Sequence, residues 1–587
     1  MARVVYICFR YSINDLDRVA LDQTLTIIDE RIRGDGMESR MLKVESHDEI
    51  FATCINYTDI VRIDGSSIGV GYVCDESIDW SIPGMDRPEG TYAIFRGSKN
   101  SVELLSDAMA TRTIWYYHDE SIFIASTSQR ALVMLLGSFS PNSSVIPWML
   151  MNGVMGPIGA WDKRLQSVPP SCRVVLDRKS WIVNYFKEQV SFSPGTQSDE
   201  FYRVKFRQAI ELSIRDLLLE SKRWILPLSG GYDSRLLACL LNDRKDLLTV
   251  TWGMPPNAED RGSEGGIAAL LARKLGFKHR YFPIEMSEES IGIVMDRFVR
   301  MSEGRTDNLL SLIDGFKLCQ RLSSHGIQGI IRGDEAFGGF GWSPVYNSKD
   351  VRMGLGLAMA SDLSSTAWLL DLAGMTQSLP ESLAQKDGEC LEAWRYRLYH
   401  DYRVPVALAA LTETESAYFD AVKPLQFHSV VQVIRELPEH LRIDKYLLID
   451  FVNDLCPKVP YGSVREGEQL ISVLRQKRTI AFLTEELQSE YARTILPSSL
   501  IRGILNRLSS DTSRQASNYQ LLNLRLFDAW IRENMPRFMK RYFKKFAPPS
   551  QLDSSLLAFR AWIVVRVHRL MEEDATAANN RGGTSSE

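Results

Sequence analysis

The sequence lacks the features that mark several large classes of protein. Its eight cysteines are scattered and include no Cys-x-x-Cys pair, so the pattern indicates neither a zinc site nor a disulfide framework. Reduced thiols of this kind are typical of a cytoplasmic protein. No apolar run approaches the ~20 residues that cross a bilayer, and the N-terminus shows no signal-peptide pattern. We therefore expect a cytoplasmic protein without a transmembrane segment.

The chain also lacks an excess of charge of either sign. Lys and Arg total 69 against 73 for Asp and Glu, which gives a formal net charge of -4. A general nucleic-acid binder presents a basic surface, so this balance argues against a nucleic-acid partner. With 45% hydrophobic and 24% charged residues, the composition is that of a globular protein, and 587 residues exceed one ordinary domain.

The most informative segment that is present is Trp224–Arg235, where an apolar strand enters a Ser-Gly-Gly-x-Asp-Ser turn and a helix follows. Gly230 and Gly231 have no Cβ, so the backbone there can take positive φ and approach a phosphate closely. Phosphate would repel Asp233 unless Mg²⁺ bridged the two. The alternative is a plain strand–helix turn with Asp233 as the helix N-cap, but the full hexapeptide favours a nucleotide site.

A second turn of similar character follows about 100 residues later in the chain. The apolar strand Ile327–Ile331 ends at Arg332-Gly333, and Asp334 follows at once. Strands alternate with helices through this region, which predicts a parallel sheet with its ligands at the carboxyl ends of the strands. Asp334 is therefore well placed to share a Mg²⁺ with Asp233. The predicted strands are Trp224–Leu228, Leu247–Trp252, His279–Pro283 and Ile327–Ile331, and the predicted helices are Asp233–Leu241, Glu264–Leu275 and Leu309–Leu322.

The region before residue 190 is rich in short β-branched and aromatic runs separated by turn residues, so we expect strands there. The region after about residue 350 is mostly helical in pattern, and the polar end of the chain predicts disorder. The predicted strands before residue 190 are Arg3–Phe9, Ile68–Val73, Gly90–Arg96, Ile114–His118, Ile122–Ala125 and Arg173–Leu176. The predicted domains are 1–190, 200–475, a helical C-terminal extension at 476–573 and a disordered tail at 574–587.

These motifs resemble those of the asparagine synthetase superfamily, which includes β-lactam synthetases and lasso-peptide cyclases. The Ser229–Ser234 turn matches its pyrophosphate loop, and Gly333–Gly339 is similar to its Ser-Asp-Glu-Val-Phe-Gly-Gly segment. Leu437–Lys445 resembles its late Leu-Pro…Lys block, and Glu89–Phe95 resembles part of its glutaminase-like sandwich. The resemblance implies an N-terminal glutaminase-like (Ntn-type) sandwich, followed by a doubly wound ATP-pyrophosphatase (PP-loop) domain.

The resemblance also implies ATP and Mg²⁺ as cofactors. Asp233 and Asp334 would hold the metal, and the residues around the two turns would contact the nucleotide. The predicted nucleotide contacts are Leu228, Ser229, Gly230, Gly231, Asp233, Ser234, Trp252, Gly253 and Gly333.

Several positions depart from the pattern of the family. Ala2 stands where a working glutaminase has its nucleophilic Cys, and the first cysteine is Cys8, inside a predicted strand, so we expect no glutamine hydrolysis. No acid lies at Gly329–Ile331, where asparagine synthetases place a glutamate. The lysine that steadies the transition state aligns with Arg465, and Lys458 is a nearby alternative.

The group that deprotonates the amine is left open among Glu335, Glu413 and Glu415. We expect adenylation of a substrate carboxylate and its capture by an amine, with a lasso-peptide macrolactam cyclase as the leading specific hypothesis. The alternatives are a β-lactam synthetase-like enzyme, another amide ligase, or a catalytically silent scaffold. The expected partners are a peptide or small-molecule carboxylate and a protease that processes a leader peptide.

Overall fold

The protein is a mixed α/β structure with several sheets and many helices. Its structure, a computed structural model, describes residues 2–45, 49–74, 79–157, 159–253, 262–338, 345–363, 367–462, 469–515 and 552–582. Within these ranges every helix is too short or too polar to traverse a lipid bilayer.

Two antiparallel sheets of six strands build the first part of the chain. In spatial order the first sheet contains β10 (Gln166–Ser167), β8 (Trp115–His118), β9 (Ile122–Ser126), β1 (Arg3–Phe9), β3 (Ile50–Ile55) and β2 (Met41–Glu45). The second sheet contains β12 (Ile182–Lys187), β11 (Cys172–Asp177), β7 (Ser101–Ser106), β6 (Gly90–Gly97), β5 (Ser67–Val73) and β4 (Arg62–Asp64).

The two sheets form a sandwich because alternate residues of their strands point to a shared core. Val4, Tyr6 and Cys8 of β1 are fully buried in this core together with Ala93 and Phe95 of β6. The six strands predicted here are present, and each of their ends lies within one residue of the prediction.

A parallel sheet of five strands follows, in the spatial order β15 (His279–Pro283), β14 (Leu248–Gly253), β13 (Trp224–Pro227), β16 (Gly329–Ile331) and β17 (Asp420–Val422). Ile225 and Ile330 pack into one hydrophobic core, while Leu226 and Ile331 pack into another on the opposite face. Both faces of this sheet are therefore covered, as the alternation of strands and helices predicted. The three-residue strand β17 was not predicted.

The helices cover the faces of these sheets and form most of the later part of the chain. In chain order they are α1 (Asp15–Ile32), α2 (Gln129–Leu136), α3 (Ile146–Asn152), α4 (Asp199–Arg215), α5 (Tyr232–Leu240), α6 (Glu264–Leu275), α7 (Ile291–Ser302), α8 (Lys317–Ser324), α9 (Ser348–Leu355), α10 (Ala367–Ala373), α11 (Leu391–Leu398), α12 (Ala409–Thr414), α13 (His428–Glu436), α14 (Glu439–Arg442), α15 (Tyr446–Leu455), α16 (Gln469–Leu474), α17 (Lys477–Gln488), α18 (Glu490–Ile495), α19 (Ser498–Gln515) and α20 (Ser554–Gly582). A π-helix spans Tyr399–Leu408, and single 3-10 turns lie at Ser143–Val145, Ser221–Arg223, Leu310–Leu312, Ala360–Asp362, Glu381–Leu383, Glu415–Ala417, Pro424–Gln426 and Ile443–Lys445.

The prediction of one continuous helix over Leu309–Leu322 is wrong. The structure has a 3-10 turn at Leu310–Leu312 and a separate helix that begins at Lys317. Gly315 and Phe316 between them have φ of 72° and 66°, which is the left-handed region and interrupts a right-handed helix.

The predicted disorder of the tail is wrong for residues 574–582, because helix α20 continues through them. Asp574 is fully buried and accepts a hydrogen bond of 2.6 Å from Nε of Arg130, so this part of the chain is anchored. Residues 583–587 lie outside the described residues.

The expectation of reduced thiols is wrong for Cys239 and Cys456, which are joined by a disulfide. Their Cα atoms are 5.9 Å apart although 217 positions separate them in sequence. A search for closely spaced cysteines cannot find such a pair, because only the tertiary fold brings the two together.

Candidate active site

The two turns singled out in the sequence meet at the carboxyl edge of the parallel sheet. The Ser-Gly-Gly turn follows β13, and the turn that contains Asp334 follows β16, its neighbour in the sheet. Gly333 lies directly against the first turn: a Cβ atom there would come within 2.9 Å of the backbone N of Ser234 and 3.3 Å of Cβ of Asp233. The close approach of the two turns therefore requires glycine at position 333.

Two serine hydroxyls hold the first turn in shape. The Oγ atoms of Ser229 and Ser234 are 3.1 Å apart, and the backbone N–H of Ser229 donates to Oγ of Ser234 at 3.1 Å. The N–H of Gly231 donates to Oγ of Ser229 at 3.1 Å. Gly231 is the N-cap of α5 and has no side chain to cap it, so the positive end of the helix dipole faces the turn.

The glycine pair does not use the positive φ that glycine permits. Gly231 has a φ of -84°, and Gly230 does not take positive φ either. Gly230 is instead confined by a neighbouring segment: a Cβ atom on it would lie 2.8 Å from the backbone N of Gly462. Glycine at 230 is thus required by a backbone contact within the protein.

That neighbouring segment, Val459–Gly462, is called the strap below. Arg235 of α5 donates to the carbonyl oxygens of Val459 and Pro460, each at 2.8 Å. Its guanidinium lies 4.0 Å from the centroid of the Tyr461 ring, which also contacts the ring of Tyr232 at a centroid distance of 4.2 Å. The strap is therefore fastened to the first turns of α5, beside the Ser-Gly-Gly turn.

Asp233 is paired with a buried lysine. Nζ of Lys445 donates to both carboxylate oxygens of Asp233, at 2.9 and 3.1 Å, and lies 3.1 Å from Oε1 of Glu335. Burial raises the pKa of Asp233 to about 6; the Lys445 ammonium opposes this rise, while the Glu335 and Asp334 carboxylates add to it. One lysine thus pairs with two acids, one from each turn.

Asp334 has two cationic partners. Its Oδ2 lies 3.1 Å from Nζ of Lys423 and 3.2 Å from Nε of Arg332, which also reaches Glu415 at 3.4 Å. Although burial opposes the shift, Arg332 and Lys423 lower the pKa of Asp334 to about 2. Asp334 is consequently ionised at neutral pH, and two cationic side chains lie beside its carboxylate.

Both turns line one cleft of about 430 Å³, a size that suits a small ligand. Most of the predicted nucleotide contacts line it, and Gly230 does not. The lining residues are Pro227, Leu228, Ser229, Gly231, Asp233, Ser234, Val250, Thr251, Trp252, Gly253, Glu264, Ile284, Asn308, Leu310, Arg332, Gly333 and Asp334.

Several functional candidates were missed by the sequence analysis. Ile284 follows the end of β15, so the rule that ligands lie at strand ends could have found it. Lys445 is the last residue of the Leu-Pro…Lys block. That block was identified from the sequence, but no function was assigned to its lysine. Asn308 and Leu310 come from an irregular connection, and nothing in the sequence marks them.

Two of the predicted catalytic residues, Lys458 and Glu335, do not line the cleft. Arg465 lies outside the described residues. Lys458 is exposed and does not line the cleft; its carbonyl oxygen accepts a hydrogen bond from Lys274 at 3.0 Å. Glu335 is buried, and its carboxylate accepts from the backbone N–H groups of Phe337 and Gly338.

The two other candidates for a general base are engaged in ion pairs. Glu413 pairs with Arg305 and accepts a hydrogen bond of 2.6 Å from the N–H of Thr113, away from the cleft. Glu415 is half-buried beside Arg332, and desolvation raises the pKa of its carboxyl group. Of the two, Glu415 is the one connected to a residue that lines the cleft.

Cys8 has none of the properties of a catalytic thiol. It is fully buried in the sandwich, and burial raises the pKa of its thiol to about 11. A nucleophilic cysteine needs an accessible thiolate at neutral pH, so Cys8 cannot serve as one.

The cleft offers oxygen donors that fit Mg²⁺. Asp233 and Asp334 both line it, and Mg²⁺ in phosphate-binding sites usually takes one or two carboxylates together with phosphate oxygens. Nowhere in the described part of the chain do three or more His, Cys, Asp or Glu side chains group in a way that could hold a metal by themselves. The donor set therefore fits a metal that arrives with a phosphate ligand.

Comparison with known proteins bears on the region that contains this site. Residues 205–458 match the family model of asparagine synthase, a span that includes both turns, Lys423 and Lys445. No curated protein matches the chain. Among solved structures the chain is similar to glutamine phosphoribosylpyrophosphate amidotransferase from B. subtilis, complexed with ADP and GMP, at 9% identity over 58% of this chain and 83% of that chain. The TM-score of 0.20 is too low for that likeness to carry any argument.

The family match supports the asparagine synthetase superfamily for residues 205–458 and, at the family level, an ATP-dependent ligase that forms amide bonds.

Proposed function

We propose that this protein is an ATP-dependent C–N ligase that activates a substrate carboxylate as an acyl-adenylate and passes the acyl group to an amine. The observation that carries the proposal is the contact between the Ser-Gly-Gly turn and the Asp334 turn at one cleft, in the region that matches the asparagine synthase family. Open α/β sheets bind ligands at this edge.

The chain's own groups would bind the triphosphate at the first turn. The hydroxyls of Ser229 and Ser234 and the amino end of α5 offer donors to phosphate oxygens. The apolar side chains of Leu228, Val250 and Trp252 line the same cleft and could cover a nucleobase.

Asp233 and Asp334 would hold Mg²⁺ between the turns. When bound, the ion would neutralise charge on the departing pyrophosphate. Each aspartate would then share its negative charge between the metal and the lysine or arginine beside it, so Lys423 and Lys445 would remain close to the phosphates as further positive charge.

The proposed chemistry has two steps. A substrate carboxylate oxygen bonds to the α-phosphorus of ATP while the bond from that phosphorus to pyrophosphate breaks. The amine nitrogen then bonds to the acyl carbon, AMP leaves, and the amine loses a proton. Arg332 lines the cleft at the end of β16 and can stabilise negative charge on the phosphate or on the acyl oxygen.

The specific substrate that we propose is a precursor peptide whose side-chain carboxylate is joined to its own N-terminal amine, as in lasso-peptide cyclases. An intramolecular amine would need no separate amine site, because the folded substrate supplies its effective concentration. Ala2 in place of the nucleophilic cysteine and the buried Cys8 with its raised thiol pKa support an enzyme that does not use glutamine as its nitrogen source. The absence of an acid at Gly329–Ile331 argues against ordinary asparagine synthesis. A protease that removes the leader peptide is the proposed partner.

One observation favours a second candidate, a catalytically silent scaffold. Asp233 and Asp334 already have ammonium or guanidinium partners, which would satisfy a fold that no longer binds metal. A β-lactam synthetase-like enzyme or another amide ligase would use the same cleft with a smaller substrate.

The test is incubation of the protein with ATP, Mg²⁺ and a short peptide encoded beside its gene. We expect AMP and pyrophosphate in equal amounts and a peptide product lighter by one water in mass spectrometry. The variant Asp334→Asn, with its fold checked by circular dichroism, should form neither product. If the wild-type protein neither binds ATP nor releases pyrophosphate, the silent scaffold is the correct description.

A further inference from the structure

The disulfide between Cys239 and Cys456 joins two segments that border the Ser-Gly-Gly turn, Ser229–Ser234, which is called the nucleotide turn below. Cys239 lies in α5, whose first turn carries Asp233. Cys456 ends α15 and leads into the strap. The bond therefore closes a connection between the helix that begins at the Ser-Gly-Gly turn and the segment that packs on that turn.

The strap reaches the nucleotide turn through direct contacts. The N–H of Gly462 donates to the carbonyl oxygen of Gly230 at 3.4 Å, and the Tyr461 ring is held between Tyr232 and Arg235. The disulfide thus links Cys456, three residues before the strap, to α5. The other end of the strap lies against Gly230.

We propose that Cys239 and Cys456 form a reversible redox pair that sets how firmly the strap holds the nucleotide turn. Oxidation forms the S–S bond, and each thiol loses one proton and one electron. The two electrons pass to a small-molecule disulfide such as oxidised glutathione, which leaves as two thiols through a mixed-disulfide intermediate. Reduction by an excess of the small thiol reverses the exchange.

The surroundings of the two sulfurs fit both states. Cys239 and Cys456 are each only partly buried, whereas Cys8, Cys54, Cys172 and Cys319 are buried. A thiol at Cys456 would also have a partner, since its Sγ lies 3.7 Å from the carbonyl oxygen of Arg235. In the reduced form the thiol of Cys456 therefore keeps a contact with α5.

Reduction of the disulfide removes the covalent link between α5 and the chain before the strap. The hydrogen bonds from Arg235 to Val459 and Pro460 remain. The strap should then open more often, because local opening is limited by the contacts that hold a segment. The change in how often the strap opens does not require the proposed function. Any change in nucleotide affinity rests on the proposed function.

The experiment compares the full chain in oxidised and reduced glutathione buffers. Alkylation under denaturing conditions followed by mass spectrometry should find a linked pair of peptides that contain Cys239 and Cys456 in the oxidised sample only. Hydrogen exchange of the amides of Lys458, Val459, Tyr461 and Gly462 should be about tenfold slower in the oxidised sample. Exchange in strand β6 should be equal in both.

Two variants sharpen this comparison. Cys456→Ser should show fast strap exchange in both buffers, and Cys390→Ser, which changes an exposed cysteine elsewhere, should behave as wild type. If Cys456→Ser fails to fold, the wild-type comparison still decides. The proposal is overturned if no linked peptides form, or if they form and the strap exchanges at the same rate in both buffers.

Titration with an ATP analogue then separates the two proposals. If the oxidised form binds the analogue more tightly than the reduced form, the pair regulates the nucleotide site. If neither form binds it while strap exchange still depends on the bond, the proposed function fails and the redox pair stands.

Discussion

At the scale of single residues, the cations beside the two aspartates define the character of the site. Lys445 is 5% exposed and has a φ of 57°, so the chain places its ammonium between Asp233 and Glu335 by an uncommon backbone conformation. Lys423 is almost completely buried at the end of β17 beside Asp334. The charges of the cleft are thus arranged before any ligand arrives, which is what electrostatic preorganisation requires.

Gly230→Ala tests the contact between the nucleotide turn and the strap. The added Cβ would lie 2.8 Å from the backbone N of Gly462, so one of the two segments must move. We expect a loss of about 1–3 kcal/mol in the free energy of unfolding, together with weaker nucleotide binding. Urea denaturation and titration with an ATP analogue measure the two effects.

The matched control for this change is Gly354→Ala. Gly354 lies within helix α9, and a Cβ atom there would meet nothing within 4 Å. Alanine should raise the free energy of unfolding by about 0.5–1 kcal/mol, because it favours the helix. Equal stability of Gly230→Ala and wild type would show that the strap does not confine the turn.

The sequence indicated the local chemistry of the site but not its long-range pairs. The positions of Ser229, Asp233 and Asp334 followed from strand-end turns, which depend on neighbouring residues. Lys445 could not be paired with Asp233 in advance, because 212 positions separate them and only the packing of α15 on α5 brings them together.

At the scale of elements, the strands that were predicted in the sandwich have accurate ends, but seven strands were missed: β2, β3, β4, β7, β10, β12 and β17. Strands such as β1 and β6 are short runs rich in β-branched and aromatic residues and are buried almost throughout, and their ends were placed within one residue. Strand β17 has three residues, too few for any periodicity to be visible. The helix over Leu309–Leu322 failed because apolar spacing does not reveal the positive φ of Phe316.

Helix α7 offers a prediction about pH at this scale. Glu289, just before the helix, binds the guanidinium of Arg297 through both carboxylate oxygens, at 2.8 and 2.9 Å. This hydrogen bonding lowers the pKa of Glu289 from 4.5 to about 2. Since the pKa is lower in the folded state, the pair stabilises the protein fully above about pH 4.5, and the stabilisation disappears as the pH falls towards 2.

Glu289→Gln should therefore lower Tm at pH 7 and at pH 5, and the difference from wild type should shrink between pH 4.5 and pH 2. The loss should be small, because the Glu289 side chain is 35% exposed and solvent weakens the pair. Glu288→Gln, at the adjacent exposed acid, should follow wild type throughout. A difference between Glu289→Gln and wild type that persists unchanged at low pH would contradict this account.

At the scale of the whole molecule, the C-terminal helix α20 joins the sandwich to the later helices. It packs on α2 and α3 from the first part of the chain and on α17 and α19 from the last part. Asp574 within it is fully buried between Arg130, at 2.6 and 3.0 Å, and Arg31. The polar sequence around Asp574 predicted disorder. The two arginines that bind its carboxylate lie more than 400 positions away in the sequence, so no local pattern could reveal them.

Asp574→Asn should destabilise the protein by about 3–5 kcal/mol, because it leaves the buried Arg130 without its counter-charge. Urea denaturation measures the loss, and limited proteolysis should cut α20 before the sandwich. Asp246→Asn, at an exposed aspartate, should leave both measurements unchanged. Wild-type stability of Asp574→Asn would show that α20 is held by its apolar face alone.

The central claim is that the cleft between the two turns binds a nucleotide with Mg²⁺ through Asp233 and Asp334. The most direct measurement is calorimetric titration with a non-hydrolysable ATP analogue, with and without Mg²⁺. We predict Mg²⁺-dependent binding by wild type and by Asp246→Asn, and affinity at least about tenfold weaker in Asp233→Asn and in Asp334→Asn. Failure of the wild-type protein to bind, or binding of wild-type strength in both cleft variants, would contradict the account.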